Sequence, residues 1–442
     1  MAVRGRRFAR RIARMTELQS PRGMHDLLPE EDPLWRLVRD TCEGVARGFG
    51  YGFITTPIVE DERVFLRSVG DESDIVQKEM YVFEDRGGGR LALRPEATAA
   101  VCRAYLEHGM ASRPQPVRLA YFGPMFRYDR PQAGRYRQLW QFGVECIGDA
   151  SAAADVEVIE LQHSLYRELG LDSIALRINS IGTAETRQRY EQALHEHLAP
   201  HAATLSKDSQ RRLQTNVLRV LDSKEDAANP ALASAPSIAD SLDEGDREHF
   251  AEVRRLLDSL GIAYEVDPRI VRGLDYYART VWEFEPAGGG GQSTVGAGGR
   301  YDGLMELLGG KPTPGTGFAT GIERIILNLR AQGVEATSAS LDVVTIPLGE
   351  AGAAWAMRVA AELRRAGLTV RGGTPGRSLR AQLRAANGSG ARYVAIAGDE
   401  EAAQQVVQLK ELAEDGEQRT LALDALLGAL APAAAAARAV TD

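Results

Sequence analysis

Arg127, Arg130, Arg135 and Arg137 fall within eleven positions of MFRYDRPQAGRYRQLWQFGVE, residues 125–145, among aromatic residues and before Glu145. Guanidinium forks suit bidentate phosphate contacts. The stretch is either a solvated basic hairpin or a site for a phosphate and a flat base. The chain carries a formal net charge of -8, so an anion site must be a local patch. Alternate residues of a strand share a face. Arg137, Leu139, Gln141, Gly143 and Glu145 therefore lie together, and Trp140, Phe142 and Val144 form a core face. Gly143 is expected to leave a hollow between an amide and a carboxylate, a floor for an ammonium group or a polar ring. An exposed strand face with a glycine bulge is the plainer reading.

Other clusters have the same flavour. GFATGIERIIL sets Arg324 in the first turn of a helix, where anions are favoured; a surface ion pair is the alternative. LRPEATAA places Glu96 and Thr98 at a helix start. VRGLDYYARTVWEFE groups Arg272, Asp275, Tyr276 and Tyr277, and GAGGRYDGL sets Arg300, Tyr301 and Asp302 on a glycine-rich turn. Three arginines, an ammonium floor and two tyrosines together point to nucleotide activation of an amino acid. No Walker-A, HExxH or GxSxG pattern occurs, and His195, His197 and His201 read as a surface-helix cluster.

Positioning these groups requires a frame. Apolar periodicity predicts helices over 29–49, 96–107, 155–169 and 322–330. It predicts strands over 52–59, 117–126, 136–146, 174–179 and 280–285, another at Ile270, and a hairpin of 81–83 with 91–93. Residues 182–261 are charged and helical in pattern, an insertion. After a polar linker at 331–340, strands at 343–347, 368–371 and 393–397 alternate with helices at 353–365 and 378–386. That alternation predicts a small α/β domain with a largely parallel sheet. A start of its second helix at 376 places Arg377, Arg380 and Arg384 on one basic stripe, suited to an RNA backbone or simply solvated.

At 442 residues the chain has room for two or three domains. No apolar run reaches the ~18 residues of a membrane span. Three scattered cysteines, Cys42, Cys102 and Cys146, fit a reducing compartment and no thiolate zinc site. Six arginines and no acid occupy the first fourteen residues. Three readings stand open: an RNA-touching tail, a targeting segment, or sequence ahead of a true start at Met15.

FRYDRPQAGRYRQ and GFATGIERIIL resemble the second and third motifs of class II aminoacyl-tRNA synthetases. RGLDYYARTVWEFE and AGGRYDGL resemble two stretches specific to the histidyl-tRNA synthetase family, and SPRGMHDLLP also fits. The resemblance implies an α+β fold, an antiparallel sheet flanked by helices. It implies a tail at 1–19, catalytic parts at 20–182 and 263–333, a helical insertion at 183–262, and an anticodon-binding domain at 341–442. Histidine, ATP with Mg²⁺ and tRNA(His) are the implied partners, in a cytoplasmic homodimer joined through 29–59. Glu96, Ala97, Thr98 and Gln141 would line the α-ammonium site, and Glu145, Tyr276 and Tyr277 the imidazole site. Arg127 and Arg272 would serve both histidine binding and catalysis. Arg127, Asp129, Arg135, Leu139 and Arg324 would hold ATP, and Arg130, Gln132, Arg377, Arg380 and Arg384 the tRNA. This sequence departs from the family pattern at Ala97, where glycine is usual, and at Asp129, where glutamate is. Leu139 stands where a phenylalanine commonly stacks on adenine, and Val217 where proline is usual. The rival is a non-catalytic relative, the regulatory subunit of ATP phosphoribosyltransferase, which usually lacks the anticodon domain and the full arginine set.

Overall fold

A computed structural model describes residues 18–69, 78–132, 134–221, 223, 225–270, 276–286, 294–334, 341–413 and 416–430. The basic stretch at 1–14, Arg272 and Asp275 lie outside the described residues. The chain divides into two compact units at 335/336.

The first unit is built on an eight-stranded sheet. Its strands are β1 (Gly52–Phe53), β5 (Val117–Phe126), β6 (Gln138–Ile147), β7 (Ile174–Ser180), β8 (Tyr264–Val266), β9 (Ala278–Pro286), β10 (Gly296–Arg300) and β11 (Gly315–Gly321). They run in the order β1-β5-β6-β11-β10-β9-β7-β8, antiparallel except for the two edge pairings. A smaller sheet joins β2 (Val59–Asp61), β3 (Tyr81–Glu84) and β4 (Arg90–Leu93) in the order β2-β4-β3. The expected strand over 52–59 is thus two strands in two sheets: Gly52 pairs with Leu119 and Val59 with Leu93. Pro57, lacking an N–H, lies between them. Ile270 is not in a strand; the strand there is Tyr264–Val266, and the Ile270 carbonyl accepts from Asn179 Nδ2 at 3.2 Å.

Helices cover the sheet. Asp32–Gly48 turns Leu34, Trp35, Val38, Cys42 and Val45 inward at helical spacing. Ala152–Glu168 is capped by the Ser151 hydroxyl, which accepts from Ala154 N. Thr98–Glu107 and Ile322–Ala331 bring residues to the site described below. From Ala184–Leu198 to Glu244–Leu260 the chain is helical. Its centre is Asp226, a buried carboxylate accepting from the hydroxyls of Ser206, Ser209 and Ser223. Burial pushes that carboxyl up, but these hydrogen bonds win and hold it down to about 2.

Of the residues expected on a glycine-rich turn, Asp302 lies on one but Arg300 does not. It ends β10, fully buried, in an ion pair with Asp155 at 2.8 Å and a second with Asp302 at 2.9 Å. It also donates to the carbonyls of Asp149 and Ser151. A buried cation needs such pairing, so Arg300 is a structural residue.

In the second unit the sheet runs β13 (Val370–Gly372), β12 (Val343–Pro347), β14 (Tyr393–Ala397), β15 (Val406–Glu411), β16 (Gln418–Ala422). The first two pairings are parallel and the last two antiparallel, so the sheet is mixed rather than largely parallel. Its second helix is Leu379–Asn387, capped by the Ser378 hydroxyl. Arg377 therefore precedes the helix, and the three-arginine stripe reduces to Arg380 and Arg384, one turn apart; all three side chains are exposed. Among the described residues no helix is long and apolar enough to cross a membrane.

Candidate active site

The hairpin of β5 and β6 frames the site, with Tyr121 opposite Gly143 and Gly123 opposite Gln141. On the other side of β6, Gly317 of β11 stands opposite Glu145. Glu145 is fully buried. It accepts from the Thr98 hydroxyl at 2.7 Å and from the Tyr301 hydroxyl at 2.5 Å. Glycine is required at 317, since a Cβ there would stand 2.0 Å from Glu145 Oε2. Burial pushes the Glu145 carboxyl up to about 8, opposed by the Tyr301 and Thr98 hydrogen bonds. Glu96 enters the helix Thr98–Glu107, accepting from Ala99 N at 3.0 Å. Burial raises its carboxyl as well. Ala97, between them in sequence, is the buried N-cap residue.

The expected hollow at Gly143 is not there. A Cβ would meet the Tyr121 hydroxyl at 2.3 Å and the Phe318 carbonyl at 2.4 Å, so the glycine admits the Tyr121 phenol across the strand. Tyr121 is a candidate that strand parity alone does not supply; its register opposite a glycine is the signal that reveals it. Among the described residues, Glu96 Oε2, Gln141 Oε1 and Tyr121 Oη are buried without a hydrogen-bond partner. Orphaned polar atoms cost stability, and two of these three are acceptors suited to a cationic donor. Tyr276 and Tyr277 add their rings, 4.7 Å apart, with Tyr276 edge-on to Tyr301 at 5.9 Å.

Next to this floor lies a cavity of about 280 Å³ lined by Arg127, Arg135, Arg324, Asp129, Leu139 and Gln141, among others. Arg127 Nε donates to the Pro95 carbonyl at 2.8 Å, which sets it against Glu96, and Arg135 pairs with Asp129 at 3.0 Å. Arg324 donates to the carbonyls of Gly134 and Thr294. Burial, then the charges of Arg135 and Arg127, hold its guanidinium below the usual range. Three acids, Glu79, Asp129 and Glu323, line the same cavity; with Asp129 paired to Arg135 and Glu323 accepting from Trp140 N, the guanidinium groups of Arg127 and Arg324 are the cations placed to meet an anion. Glu323 was also missed. Its carboxylate accepts from Trp140 N at 2.9 Å and joins the helix bearing Arg324 to β6; burial pushes it up to about 7. A second cavity of about 340 Å³ shares Tyr136 and Glu323 but none of the three arginines. Arg130 and Gln132 lie exposed on the turn between the strands.

A family model described as histidyl-tRNA synthetase matches residues 23–325, and one described as anticodon binding domain matches 342–431. The chain belongs to the histidyl-tRNA synthetase family. It is 48% identical over 410 residues to a histidine–tRNA ligase of Dehalococcoides mccartyi, covering 92% of this chain and 98% of the relative. A histidine–tRNA ligase of Geobacillus thermodenitrificans is 47% identical over 412 residues, covering 92% and 96%. The apo crystal structure of a histidyl-tRNA synthetase of S. aureus matches with a TM-score of 0.77 at 36% identity, over 93% of this chain and 99% of that one. Three of the four departures from the histidyl-tRNA synthetase pattern sit at the site itself: Ala97 in the floor, Asp129 against Arg135, and Leu139 on the cavity wall; the fourth, Val217, is buried in the short helix Val217–Val220.

Proposed function

We infer that this chain is a histidine–tRNA ligase, activating histidine with ATP and passing it to tRNA. The observation that carries this reading is the junction of two half-sites. Buried acceptors of Glu96 and Gln141 stand beside the Glu145 carboxylate, and this floor abuts a cavity faced by three arginines. Glu96, Thr98 and Gln141 take the histidine ammonium, with Ala97 in the wall. Glu145, Tyr276 and Tyr277 take the imidazole. Arg127 spans the junction, where carboxylate and α-phosphate meet. Asp129 holds Arg135 toward the nucleotide, and Arg324 faces its far phosphates. Arg272 is proposed, on family resemblance, to share the charge on the reacting groups.

The step is an in-line displacement. A histidine carboxylate oxygen attacks the α-phosphorus, the bond to the bridging oxygen breaks, and pyrophosphate leaves. Both reactants are anionic, so fixed cations lower the barrier by holding them together and stabilising charge that develops on the phosphorus. Mg²⁺ is proposed to arrive on the ATP phosphates as part of the substrate. A ribose hydroxyl at the tRNA 3′ end then attacks the acyl carbon and displaces AMP.

Leu139 gives this nucleotide site a testable peculiarity. A cavity-wall leucine cannot stack on a base as an aromatic ring does. Leu139→Phe is expected to tighten ATP, since base–aromatic stacking contributes about 1–3 kcal/mol. An ATP KM unchanged or raised would contradict the placement of the adenine.

The divisions proposed from the resemblance are a tail at 1–19, catalytic parts at 20–182 and 263–333, an insertion at 183–262 and a tRNA-binding domain at 341–442. Arg130 and Gln132 are proposed to meet the acceptor end, and Arg377, Arg380 and Arg384 the anticodon arm of tRNA(His). Exposed Leu37, Phe53, Ile58 and Val59 support a homodimer formed through 29–59. Cys42, Cys102 and Cys146 are buried free thiols, which supports a cytoplasmic site of action. The regulatory-subunit reading is not favoured: Arg127, Arg135 and Arg324 at the cavity and the match to an anticodon-binding domain argue for the enzyme.

Deleting 341–442 tests the division of labour. Histidine activation should persist, whereas charging should fall about tenfold or more at low tRNA concentration, with a shallower salt dependence. Exchange, charging and mass are to be measured on one sample. Unchanged charging would contradict tRNA binding by this domain.

A further inference from the structure

Arg279 is one of two non-glycine residues with positive φ among the described residues, at +52°. L side chains rarely adopt this conformation, and where they do the surroundings must impose it. Arg279 sits where β9 and β10 lose register. Val281 pairs with Gly299, but Arg300 pairs with Ala278, so Arg279 and Thr280 are extra on β9. Such a bulge re-aims the chain beside it. The chain beside it is Tyr276–Tyr277, and the Tyr277 ring is laid so close over Gly299 that a Cβ there would come within 2.6 Å of it.

The bulge is held from outside the β9–β10 pair. Arg279 N donates to the Gly182 carbonyl at 2.7 Å, and Ile181 N donates to the Arg279 carbonyl at 2.8 Å. Arg279 Nε donates to Asp246 Oδ1 at 3.3 Å. Asp246, with a fully buried side chain, belongs to the helix Glu244–Leu260. Its other oxygen accepts from Thr183 N at 3.0 Å and the Thr186 hydroxyl at 2.8 Å, at the start of the helix Ala184–Leu198. One carboxylate therefore ties two helices of the insertion to the strained residue.

We propose that Arg279 is a positioning residue through which the helical insertion, by way of Asp246, holds Tyr276 and Tyr277 in the histidine site. The insertion then sets amino-acid affinity as well as anything it does for tRNA. This inference rests on the assignment of Glu145 and Tyr277 to the imidazole.

Two substitutions separate the anchor from the backbone strain. Arg279→Ala removes the anchor and keeps a Cβ that disfavours positive φ. Arg279→Gly removes the anchor but accepts that φ freely. Histidine KM should rise about tenfold in Arg279→Ala, with ATP KM changed by less than about twofold, and most of the loss should be regained in Arg279→Gly. Glu145→Gln is assayed alongside, and melting temperatures are recorded for all three. If Glu145→Gln leaves histidine KM unchanged, the reading of the site falls, and this inference with it. If Glu145→Gln raises it while Arg279→Ala does not, only the positioning role is overturned. Equal rises in both Michaelis constants, with no recovery in Arg279→Gly, would overturn it too, as the signature of general destabilisation.

Discussion

Arg127→Ala should lower histidine-dependent ATP–pyrophosphate exchange about 10²–10³-fold, the usual cost of removing one preorganised donor to developing charge. The expectation follows from its position. Arg127 reaches the Pro95 carbonyl beside Glu96 and also lines the arginine-faced cavity. It is therefore placed where two anions must approach one another. Arg127→Lys should recover only part of the rate, because an ammonium keeps the charge but loses the planar fork. The melting temperature should stay close to wild type, since truncation gives up the Nε hydrogen bond to the Pro95 carbonyl rather than a core side chain. A folded Arg127→Ala protein with near-normal exchange would remove Arg127 from the reaction.

Glu145→Gln should raise histidine KM about 10²-fold while leaving ATP KM nearly unchanged, because the carboxyl proposed to accept from the imidazole N–H is lost from a buried site. The amide can still accept from Thr98 and meet Tyr301, so the floor should keep its shape. Equal changes in both Michaelis constants would assign Glu145 a structural role. The substitution also carries a pH signature. The folded carboxyl is raised by burial to about 8, from an ordinary value of about 4.5. Its stabilising protonation is fully present below about 4.5 and is lost as pH rises through about 8. Without histidine, wild type should therefore lose melting temperature relative to Glu145→Gln as pH is raised from 5 to 9. A constant difference across that range would contradict a buried carboxyl that ionises late.

The hairpin was legible in the sequence because alternation over 117–126 and 136–146 flanks a turn; the strands found are Val117–Phe126 and Gln138–Ile147. Parity then grouped Gln141 and Glu145 correctly on one face. What parity could not supply was the partner strand's register, so Tyr121 opposite Gly143 went unseen and its phenol was read as empty space. Glycine-rich strands were the other blind spot. GAGGR, all of it buried, reads as a turn because glycine gives no hydrophobic alternation. Its meaning lies in what its neighbours place over it, such as the Tyr277 ring on Gly299. In the second unit, β15 and β16 lack the clear apolar runs of the first three strands, so the strand–helix alternation shows only the parallel half of a mixed sheet. Arg377 falls outside the helix because the Ser378 hydroxyl caps it one residue later, a start that the arginine spacing alone does not mark.

The most direct test of the central claim is ATP–pyrophosphate exchange on the full chain with each of the twenty amino acids in turn. The geometry of Glu145 with Thr98 and Tyr301, beside acceptors of Glu96 and Gln141 that are unpartnered among the described residues, predicts exchange with histidine alone. Exchange with a different amino acid, or with none while the protein is folded, would contradict it.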